Sequence, residues 1–479
     1  MNVSPLDYAL APPHDGATVS LRPLPRAHLV GIAGAGMRSL ADVLSAGGCQ
    51  VSGSDVNAAS LIGSRYAVCD EHRAEAVDRS VDLVVHSDAI GPTNPELVRA
   101  GQLGLPILSY PQALGRLMDS RRGVAVAGTH GKSTTTAMVA EILTAGGLDP
   151  TVVYGASPLE KSSGGRLGHG RWMLAEACEY RDNFRFLNPR LACILNIEPD
   201  HFDYYSSPDE LEQAFARFAT RVPADGLLLV RADCRSTERA TRQIACRRQS
   251  FGREASATWS ATDVRERRGQ YSFIIRCRGR RVCDVKLGVP GRHNLDNALA
   301  AAALAAHCGA DGTMIRAGLE QFAGLERRLQ CLGEHGGIAL VDDYAHHPTE
   351  VSASLATVRQ VYPGRRICCV FQPHQVSRTR HLLDEFARSL HNADTLVLAE
   401  IFRAREEPGR GSETTAADLA GRVAALGTDV VQLATSDEIV NHLNRSLRPG
   451  DVLVTMGAGD IGSVAHELNH RLRKIRQAG

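Results

Sequence analysis

Lysine is nearly absent from this chain of 479 residues. Of the 54 basic residues only four are lysines, at Lys132, Lys161, Lys286 and Lys474. Arginine and lysine serve almost equally well on a solvated surface, so the bias by itself predicts nothing about the fold. It does mean that any chemical step that requires a lysine has only four candidates.

The chain also lacks the marks of membrane, secreted and polyanion-binding proteins. Its 54 basic and 53 acidic residues nearly cancel, so no global field attracts nucleic acid or an anionic membrane. No segment has the roughly 18–20 consecutive apolar residues of a spanning helix. The N-terminus has no basic region followed by an apolar one, so the sequence predicts no signal peptide. The 12 cysteines are scattered and never spaced Cys-x-x-Cys, which predicts reduced, mostly buried thiols in a cytoplasmic protein.

Short apolar runs of β type alternate with alanine-rich helical stretches such as LDNALAAAALAAH. Fully apolar strands followed by helices are typical of parallel sheets covered on both faces, so the predicted class is α/β. The arginine-rich segment 226–290 alternates more strongly and predicts some antiparallel sheet. The clearest runs are HLVGIA at 28–33, GVAVAG at 123–128, RWMLAE at 171–176, LACILNI at 191–197, GIALVDD at 337–343, RICCVFQ at 366–372, TLVLAEI at 395–401 and DVLVTM at 451–456.

The order of these runs divides the chain into three units. At about 100–200 residues per domain, the length predicts two to four domains. A proline-rich extension is predicted at 1–26, followed by units at 27–121, 122–330 and 331–479.

The strongest local motif is GVAVAGTHGKSTTTAMVAEIL. A β-type run ends at Ala127, a glycine-containing turn follows, and a helix begins near Lys132. This geometry points backbone N–H groups and the positive helix end at a phosphate, with Lys132 on the terminal phosphates and the Ser133 hydroxyl on Mg²⁺. Val126 stands where the common pattern has glycine, so Gly128 takes over part of the turn. An ordinary strand–helix junction is the alternative interpretation.

Two further glycine strings compete as nucleotide sites. In LVGIAGAGMRSLADVL, Gly34 and Gly36 follow a strand, Ser39 stands where a third glycine is expected, and Asp55 lies near the place of a ribose-binding acid. These residues alone leave open an NAD site, a site for another nucleotide, or simple packing. GAGDIG at 457–462 fits the string better, but only 17 residues follow it, so we interpret it as a tight turn near a domain junction.

Three polar clusters follow apolar strands, at the edge where open α/β sheets bind ligands. They are AEACEYRDNF, NIEPDHFDYY and VDDYAHHPTE. Mg²⁺ needs only one or two carboxylates besides phosphate and water, and Glu176 and His201 are plausible ligands. A histidine is unusual on Mg²⁺ and would also suit Zn²⁺ or Mn²⁺. Helix caps and turns are the structural alternative, strongest for Asp200 and Asp203.

Other polar residues occupy similar positions. FQPHQVSRTR follows a strand and offers Arg378, whose guanidinium suits a carboxylate or phosphate. GRHNLDNALAA places His293 and Asn297 at a helix start, where they either cap the helix or contact a purine or ribose. GLERRLQ places Arg328 at the second predicted boundary, where an inter-domain phosphate contact is reasonable.

Together these strings resemble the Mur ligase family of cytoplasmic peptidoglycan synthesis. Nine motifs occur in the family's order: GIAGAGM, SGSD, GTHGKSTTT, EACEYR, NIEPDH, GRHNLDNALAA, ERR, DDYAHHPTEV and FQPHQVSRTR. The resemblance covers the chain after about residue 26. It implies a Rossmann-like N-terminal domain for UDP, a P-loop ATPase-like central domain and a Rossmann-like C-terminal domain for an amino acid. It is strongest to members that join L-alanine to UDP-N-acetylmuramate with ATP and Mg²⁺, as a monomer or homodimer.

The resemblance also implies roles for individual residues. For ATP these are Gly128, Thr129, His130, Gly131, Lys132, Ser133, Thr134, His293, Asn297 and Arg328. For the UDP-sugar they are Gly34, Ala35, Gly36, Met37, Asp55 and Ser87, and for Mg²⁺ they are Ser133, Glu176 and His201. The implied catalytic residues are Lys132, His201, Asp343, His346 and Arg378, with Tyr344 beside them. Either His346 or Asp343 would accept the proton of the amine. Gln375 stands where relatives often carry arginine, which puts one amino-acid contact in doubt.

The nearest competing function is attachment of a recycled tripeptide to the same nucleotide sugar, and FQPHQVSRTR favours the alanine-adding reaction. Ligases for D-glutamate or a diamino acid fit less well. An NAD-dependent sugar dehydrogenase would leave GTHGKSTTT unexplained, and a P-loop motor or binding protein would leave the C-terminal histidines and arginines unexplained. Some family members place a carbamoylated lysine on a second Mg²⁺. No lysine lies between Lys161 and Lys286, so we expect none here.

Overall fold

The computed structural model describes residues 25–61, 65–159, 161, 163–406 and 413–478. The predicted extension at 1–26 therefore lies almost wholly outside the described residues. Each of the eight apolar runs contains a strand, and the strands form three sheets with helices on their faces. The predicted α/β class is confirmed. No helix among the described residues is both long and apolar enough to cross a membrane.

The first sheet is parallel, with the order β3-β2-β1-β4-β5. This is the strand order of a Rossmann-like unit, as predicted. Its strands are β1 (Arg26–Val30), β2 (Gln50–Ser54), β3 (Ala67–Cys69), β4 (Leu83–His86) and β5 (Ile107–Ser109). Its helices are α1 (Ala35–Ala46), α2 (Pro95–Leu103) and α3 (Tyr110–Asp119).

The second sheet has nine strands in the order β14-β13-β12-β11-β10-β9-β6-β8-β7. They are β6 (Arg122–Ala127), β7 (Thr151–Val153), β8 (Trp172–Glu176), β9 (Leu191–Ile194), β10 (Leu227–Arg231), β11 (Arg247–Gly252), β12 (Trp259–Arg267), β13 (Gln270–Cys277) and β14 (Arg280–Lys286). The helices are α4 (Lys132–Ala145), α5 (Pro208–Ala219), α6 (Arg235–Ala240), α7 (Arg292–Cys308) and α8 (Gly312–Gln321). Among the described strands of this sheet, β12–β13 and β13–β14 pair antiparallel, so the prediction of some antiparallel sheet in 226–290 is confirmed. The strands β10 and β11 of the same segment pair parallel.

The alanine-rich helix α7 is central to the second unit. Thirteen of its 17 residues are buried, so it is covered nearly all round. Small alanine side chains let a helix approach its neighbours closely, and α7 packs against α4, the helix that follows the phosphate loop. The packing therefore holds the start of α7, with His293 and Asn297, beside that loop.

The third sheet has the order β15-β16-β20-β17-β18-β19, and only β15–β16 is antiparallel. Its strands are β15 (Gln330–His335), β16 (Ile338–Asp343), β17 (Ile367–Phe371), β18 (Thr395–Ala399), β19 (Asp429–Leu433) and β20 (Val452–Met456). The helices are α9 (Pro348–Val361), α10 (Val376–His381), α11 (Leu383–Leu390), α12 (Ala416–Ala425), α13 (Ser436–Ser446) and α14 (Gly462–Ala478). The boundaries at 121 and 330 stay a proposal, compatible with where the sheets begin.

Two smaller predictions had mixed outcomes. All 12 cysteines are free, but only six are buried, so burial of most of them is wrong. GAGDIG is a turn directly after β20, with Gly457 at φ +150°. Its Gly457 carbonyl accepts a hydrogen bond of 2.7 Å from Arg327, next to the predicted domain boundary.

Candidate active site

The phosphate loop connects β6, an interior strand between β9 and β8, to α4. Gly128 (φ +139°) and Gly131 (φ +82°) adopt backbone conformations that favour glycine. A Cβ at Gly131 would also lie 2.6 Å from the side-chain oxygen of Asn297, so glycine is required there twice over. No side chain caps the N-terminus of α4. Its first N–H groups and the positive helix end are therefore left to receive an anion such as a phosphate.

Lys132 lies inside this loop. Its Nζ donates to the carbonyls of Gly128 at 2.6 Å and Thr129 at 3.0 Å, and it is 3.0 Å from Glu179 Oε2. Burial lowers the pKa of Lys132, but the charge of Glu179 outweighs burial and holds the pKa above its usual value. Lys132 is thus a fixed cation at the phosphate site.

The predicted metal ligands divide into two contacting groups. Ser133 donates to Glu176 Oε2 at 2.9 Å. His201, at φ +55°, places Nε2 3.2 Å from Glu179 Oε1. Sequence reasoning assigned no role to Glu179, although it stands in EACEYR three residues after Glu176. A hydroxyl, two carboxylates and an imidazole around one phosphate site are donors that fit Mg²⁺ together with nucleotide oxygens.

Arg378 reaches the same cleft from the third unit. Its Nε donates to Asp200 Oδ1 at 2.7 Å, and its Nη1 donates to the His374 carbonyl at 3.0 Å. The side chains of Arg378 and Asp200 are only 3% and 4% exposed. Burial raises the pKa of Asp200, but the guanidinium outweighs it and holds that pKa well below its usual range. Asp200 is therefore an inter-domain partner rather than a helix cap.

The two candidate proton acceptors differ in their surroundings. His346 Nδ1 is 2.9 Å from the Tyr344 carbonyl, so Nδ1 carries the proton and Nε2 keeps its lone pair. Burial lowers the pKa of His346 to about 4. Asp343 accepts hydrogen bonds from Ser354 and from the N–H of Ala345, and burial raises its pKa to about 6. His346 is thus neutral near pH 7, with a free acceptor nitrogen.

A cavity of about 560 Å³ opens beside the loop. Burial lowers the pKa of His293 to about 4, so this ring is neutral and can face a base or ribose. Thr129 lies behind the opening, where its hydroxyl accepts from Glu198 N–H at 2.9 Å and ties the loop to the end of β9. The predicted ATP residues that line the cavity are His130, Gly131, Thr134, His293, Asn297 and Arg328.

The first glycine loop lies between β1 and α1. Gly34 precedes α1, which begins at Ala35 and has no side-chain cap. Asp55 does not extend freely toward a ribose, because its two oxygens accept N–H groups of Ala33 and Asn57, each at 2.9 Å. A Cβ at Gly36 would lie 2.9 Å from the Tyr110 hydroxyl. Asp55 therefore shapes the loop.

The remaining residues of this loop help to position it. Met37 is buried, and Ser87 N–H donates to the Val30 carbonyl at 3.0 Å. Ser39, which replaces the third glycine, donates to the carbonyl of Tyr154 at 2.8 Å. This contact docks α1 against the second unit.

Comparisons with known proteins agree with this arrangement. Three family profiles match in order: "Mur ligase family, catalytic domain" at 26–122, "Mur ligase middle domain" at 172–305 and "Mur ligase, glutamate ligase domain" at 327–459. A UDP-N-acetylmuramate--L-alanine ligase of Geobacter sp. (strain M21) is 39% identical over 458 residues, 95% of this chain and 99% of that protein. One of Desulforamulus reducens is 38% identical, over 94% of this chain and 98% of that protein.

Solved structures show the same architecture. A UDP-N-acetylmuramate-alanine ligase of Thermotoga maritima superposes with a TM-score of 0.80 at 27% identity, covering 94% of this chain and 99% of that one. A murein peptide ligase of Psychrobacter arcticus superposes with a TM-score of 0.73 at 25% identity, covering 94% and 98%.

Proposed function

Because the chain belongs to the Mur ligase family, we propose that it joins L-alanine to the lactyl carboxylate of UDP-N-acetylmuramate with conversion of ATP to ADP and phosphate. The observation that carries this proposal is the convergence of a phosphate loop, an acidic cluster and a histidine–arginine cluster on one cleft. Curated relatives that catalyse this reaction by name match more than nine tenths of the chain.

The proposed ATP site is the 560 Å³ cavity with the phosphate loop at its end. Lys132 lies where it stabilises the charge that develops on the transferred phosphoryl group. Ser133, Glu176 and His201 would hold Mg²⁺, which would neutralise further phosphate charge when bound. Attack by the lactyl carboxylate on the γ-phosphate then gives an acyl phosphate and ADP.

The second step uses groups of the third unit. The amine of alanine attacks the acyl phosphate, and phosphate leaves the tetrahedral intermediate. Arg378 is placed to bind a carboxylate or phosphate, and His346 Nε2 is the proposed proton acceptor, since its Nδ1–H is fixed by the Tyr344 carbonyl. Asp343, whose oxygens are bound by Ser354 and Ala345, is the alternative acceptor. An acyl phosphate hydrolyses in water, so contact between the second and third units serves to exclude solvent.

The UDP part of the substrate is assigned to the first unit, at the loop of Gly34, Ala35, Gly36 and Met37 with Ser87 beside it. Asp55 is assigned the support of this loop, because its oxygens accept the N–H groups of Ala33 and Asn57. Tyr110 lies against that loop, where a Cβ at Gly36 would be 2.9 Å from its hydroxyl. Burial and the charge of Glu176 raise the pKa of this hydroxyl. All the residues proposed for catalysis come from one chain, so a monomer suffices and a homodimer is compatible. The nucleotide substrates place the reaction in the cytoplasm.

Phosphate release tests the proposal. ATP and UDP-N-acetylmuramate are supplied with L-alanine, glycine, L-serine or the tripeptide in turn. We expect the largest kcat/KM with L-alanine. Release with the tripeptide alone would instead identify a recycling ligase, and release with none of these acceptors would contradict a ligase of this branch.

A further inference from the structure

Three side chains to which the proposed reaction assigns no catalytic step, two of them also lining the proposed ATP cavity, meet where the second and third units touch. They are His130 of the phosphate loop, Glu198 after β9, and His347 directly before α9, and we call them the interface triad. Their nearest ligand atoms all lie within 4.8 Å of one another. Glu198 Oε2 is 3.5 Å from His130 Nε2 and 3.9 Å from His347 Nδ1.

The outer nitrogen of His130 is already held. Its Nδ1 is 3.2 Å from Glu350 Oε1, so this nitrogen donates its proton to the carboxylate. The inner nitrogen, Nε2, is buried and has no hydrogen-bond partner. Burial lowers the pKa of His130, but the carboxylates of Glu350 and Glu198 outweigh burial and raise it to about 9. A metal would therefore displace the Nε2 proton, after which the Nε2 lone pair is directed at Glu198.

His347 shows the same arrangement with its nitrogens exchanged. Its Nε2 is 3.2 Å from the Pro199 carbonyl, which can only accept, so Nε2 carries the proton and Nδ1 the lone pair. The N–H of Thr349 reaches Nδ1 at a long 3.3 Å, and the Thr349 hydroxyl donates to Glu198 Oε2 at 2.5 Å. A histidine that ligates a metal almost always donates its other N–H to a carboxylate or a backbone carbonyl. Both histidines meet that condition.

Charge and burial favour a cation at this point. The side chains of His130 and His347 are 12% and 5% exposed, and two carboxylates, Glu198 and Glu350, adjoin the rings. Arg328 is the other cation near Glu350, at 4.0 Å. A protonated His130 shared between the two carboxylates would also balance this charge, and the test below separates the two states.

We propose that the interface triad is a binding site for a divalent transition metal of the Zn²⁺ class. Zn²⁺ with bonds of about 2.0–2.1 Å needs tetrahedral ligand atoms roughly 3.3–3.5 Å apart. The two distances to Glu198, 3.5 and 3.9 Å, require only small shifts, and the two histidine nitrogens, which lie within 4.8 Å of each other, would move together on binding. Two imidazoles and one carboxylate leave a fourth position open, and nitrogen ligands select Zn²⁺ or Co²⁺ over Mg²⁺. The site shares no residue with the proposed Mg²⁺ ligands.

Such a metal would join the second and third units. His130 and Glu198 belong to the second unit, whereas His347 lies directly before α9 of the third unit. A metal held by all three would fix the closed arrangement and immobilise the phosphate loop. Zn²⁺ is therefore expected to raise the Tm and to slow turnover in the presence of excess Mg²⁺.

Co²⁺ is the spectroscopic probe, added to the full chain without nucleotide. We expect an intense visible absorption typical of tetrahedral Co²⁺, saturating at one equivalent and removed by Zn²⁺. His347→Asn should lower the affinity at least about tenfold, and asparagine still caps α9. Glu198→Gln should do the same while it keeps an acceptor for Thr349. Circular dichroism checks that both variants are folded.

Glu176→Gln is the matched control, because it alters the proposed Mg²⁺ set and should leave the Co²⁺ spectrum unchanged. A wild-type chain without tetrahedral absorption, a His347→Asn chain that binds as tightly as wild type, or loss of the spectrum in Glu176→Gln would each overturn the proposal. The binding is measured without substrates, so its failure leaves the proposed ligase reaction untouched.

Discussion

Removal of the charge on Asp200 should weaken catalysis more than it weakens folding. Asp200 follows β9 in the second unit, and its partner Arg378 lies on α10 of the third unit, 178 residues later. The substitution Asp200→Asn keeps the size and an acceptor oxygen but removes the negative charge. Arg378 then keeps the His374 carbonyl at 3.0 Å as a neutral partner.

The expected cost follows from burial. Removal of one partner from a buried ion pair costs about 3–5 kcal/mol, because the other charge is left uncompensated. Asparagine still accepts a hydrogen bond, so we expect the free-energy cost of Asp200→Asn to be about 3 kcal/mol. This cost corresponds to roughly a hundredfold loss of kcat/KM. The pair joins two units, so the loss should fall on the closed, reactive arrangement, with a larger KM for L-alanine and a small change in Tm.

The pH dependence of this effect has a definite sign. The pKa of Asp200 is depressed in the folded chain. The stabilising contribution of the Asp200 charge is complete above the ordinary carboxyl pKa. It is lost as the pH falls below that value toward the depressed pKa of the folded chain. The ratio of wild-type to variant kcat/KM should therefore be constant from about pH 6 to 9.

Asp451→Asn is the matched control. Asp451 binds Arg366 through two hydrogen bonds of 3.0 and 2.6 Å, and both residues belong to the third unit. This variant should lower the Tm and leave the KM for L-alanine unchanged. Steady-state phosphate release and thermal unfolding of both variants decide the matter. Equal kinetic effects of the two substitutions, or a normal KM in Asp200→Asn, would refute the reasoning.

Three further predictions concern the reaction itself. Lys132→Ala should abolish phosphate release, because no other lysine and no arginine lies in the described phosphate loop, and near-normal turnover would contradict its assigned role. If His346 is the proton acceptor, kcat should fall only as the pH approaches the His346 pKa of about 4. If Asp343 is the acceptor, kcat should fall as the pH decreases through the Asp343 pKa of about 6. Activity should be the same in bicarbonate-free buffer, because no lysine lies between Lys161 and Lys286 to be carbamoylated, and a bicarbonate requirement would disprove this.

The local geometry of the phosphate site could be predicted from the sequence. A β run, a glycine turn and a helix start occupy consecutive positions, so the loop around Gly128 and Lys132 follows from neighbouring residues alone. The same holds for the alternation of strands and helices that indicated three α/β units. Each apolar run is about one strand long, and its backbone groups, once buried, are satisfied by pairing with neighbouring strands in a sheet covered on both faces.

Sequence reasoning was less successful where a polar side chain had several available partners. Asp55 stands at the spacing of a ribose ligand, yet both its oxygens hold backbone N–H groups of its own loop. Glu179 stands three residues after Glu176 in EACEYR, and the sequence did not indicate which of these two acids has which partner. Only the fold shows that Glu179 contacts both Lys132 and His201.

The sequence by itself determined the class, the order of the units and the phosphate loop, because each depends on contacts within a few residues or on a regular repeat of apolar side chains. Only the tertiary structure decided which residues meet across units. Asp200 of the second unit meets Arg378 of the third, and His130 and Glu198 of the second unit meet His347 of the third. Spacing along the chain carries no information about how two folded units are oriented, and their contact alone creates these buried charges and their partners.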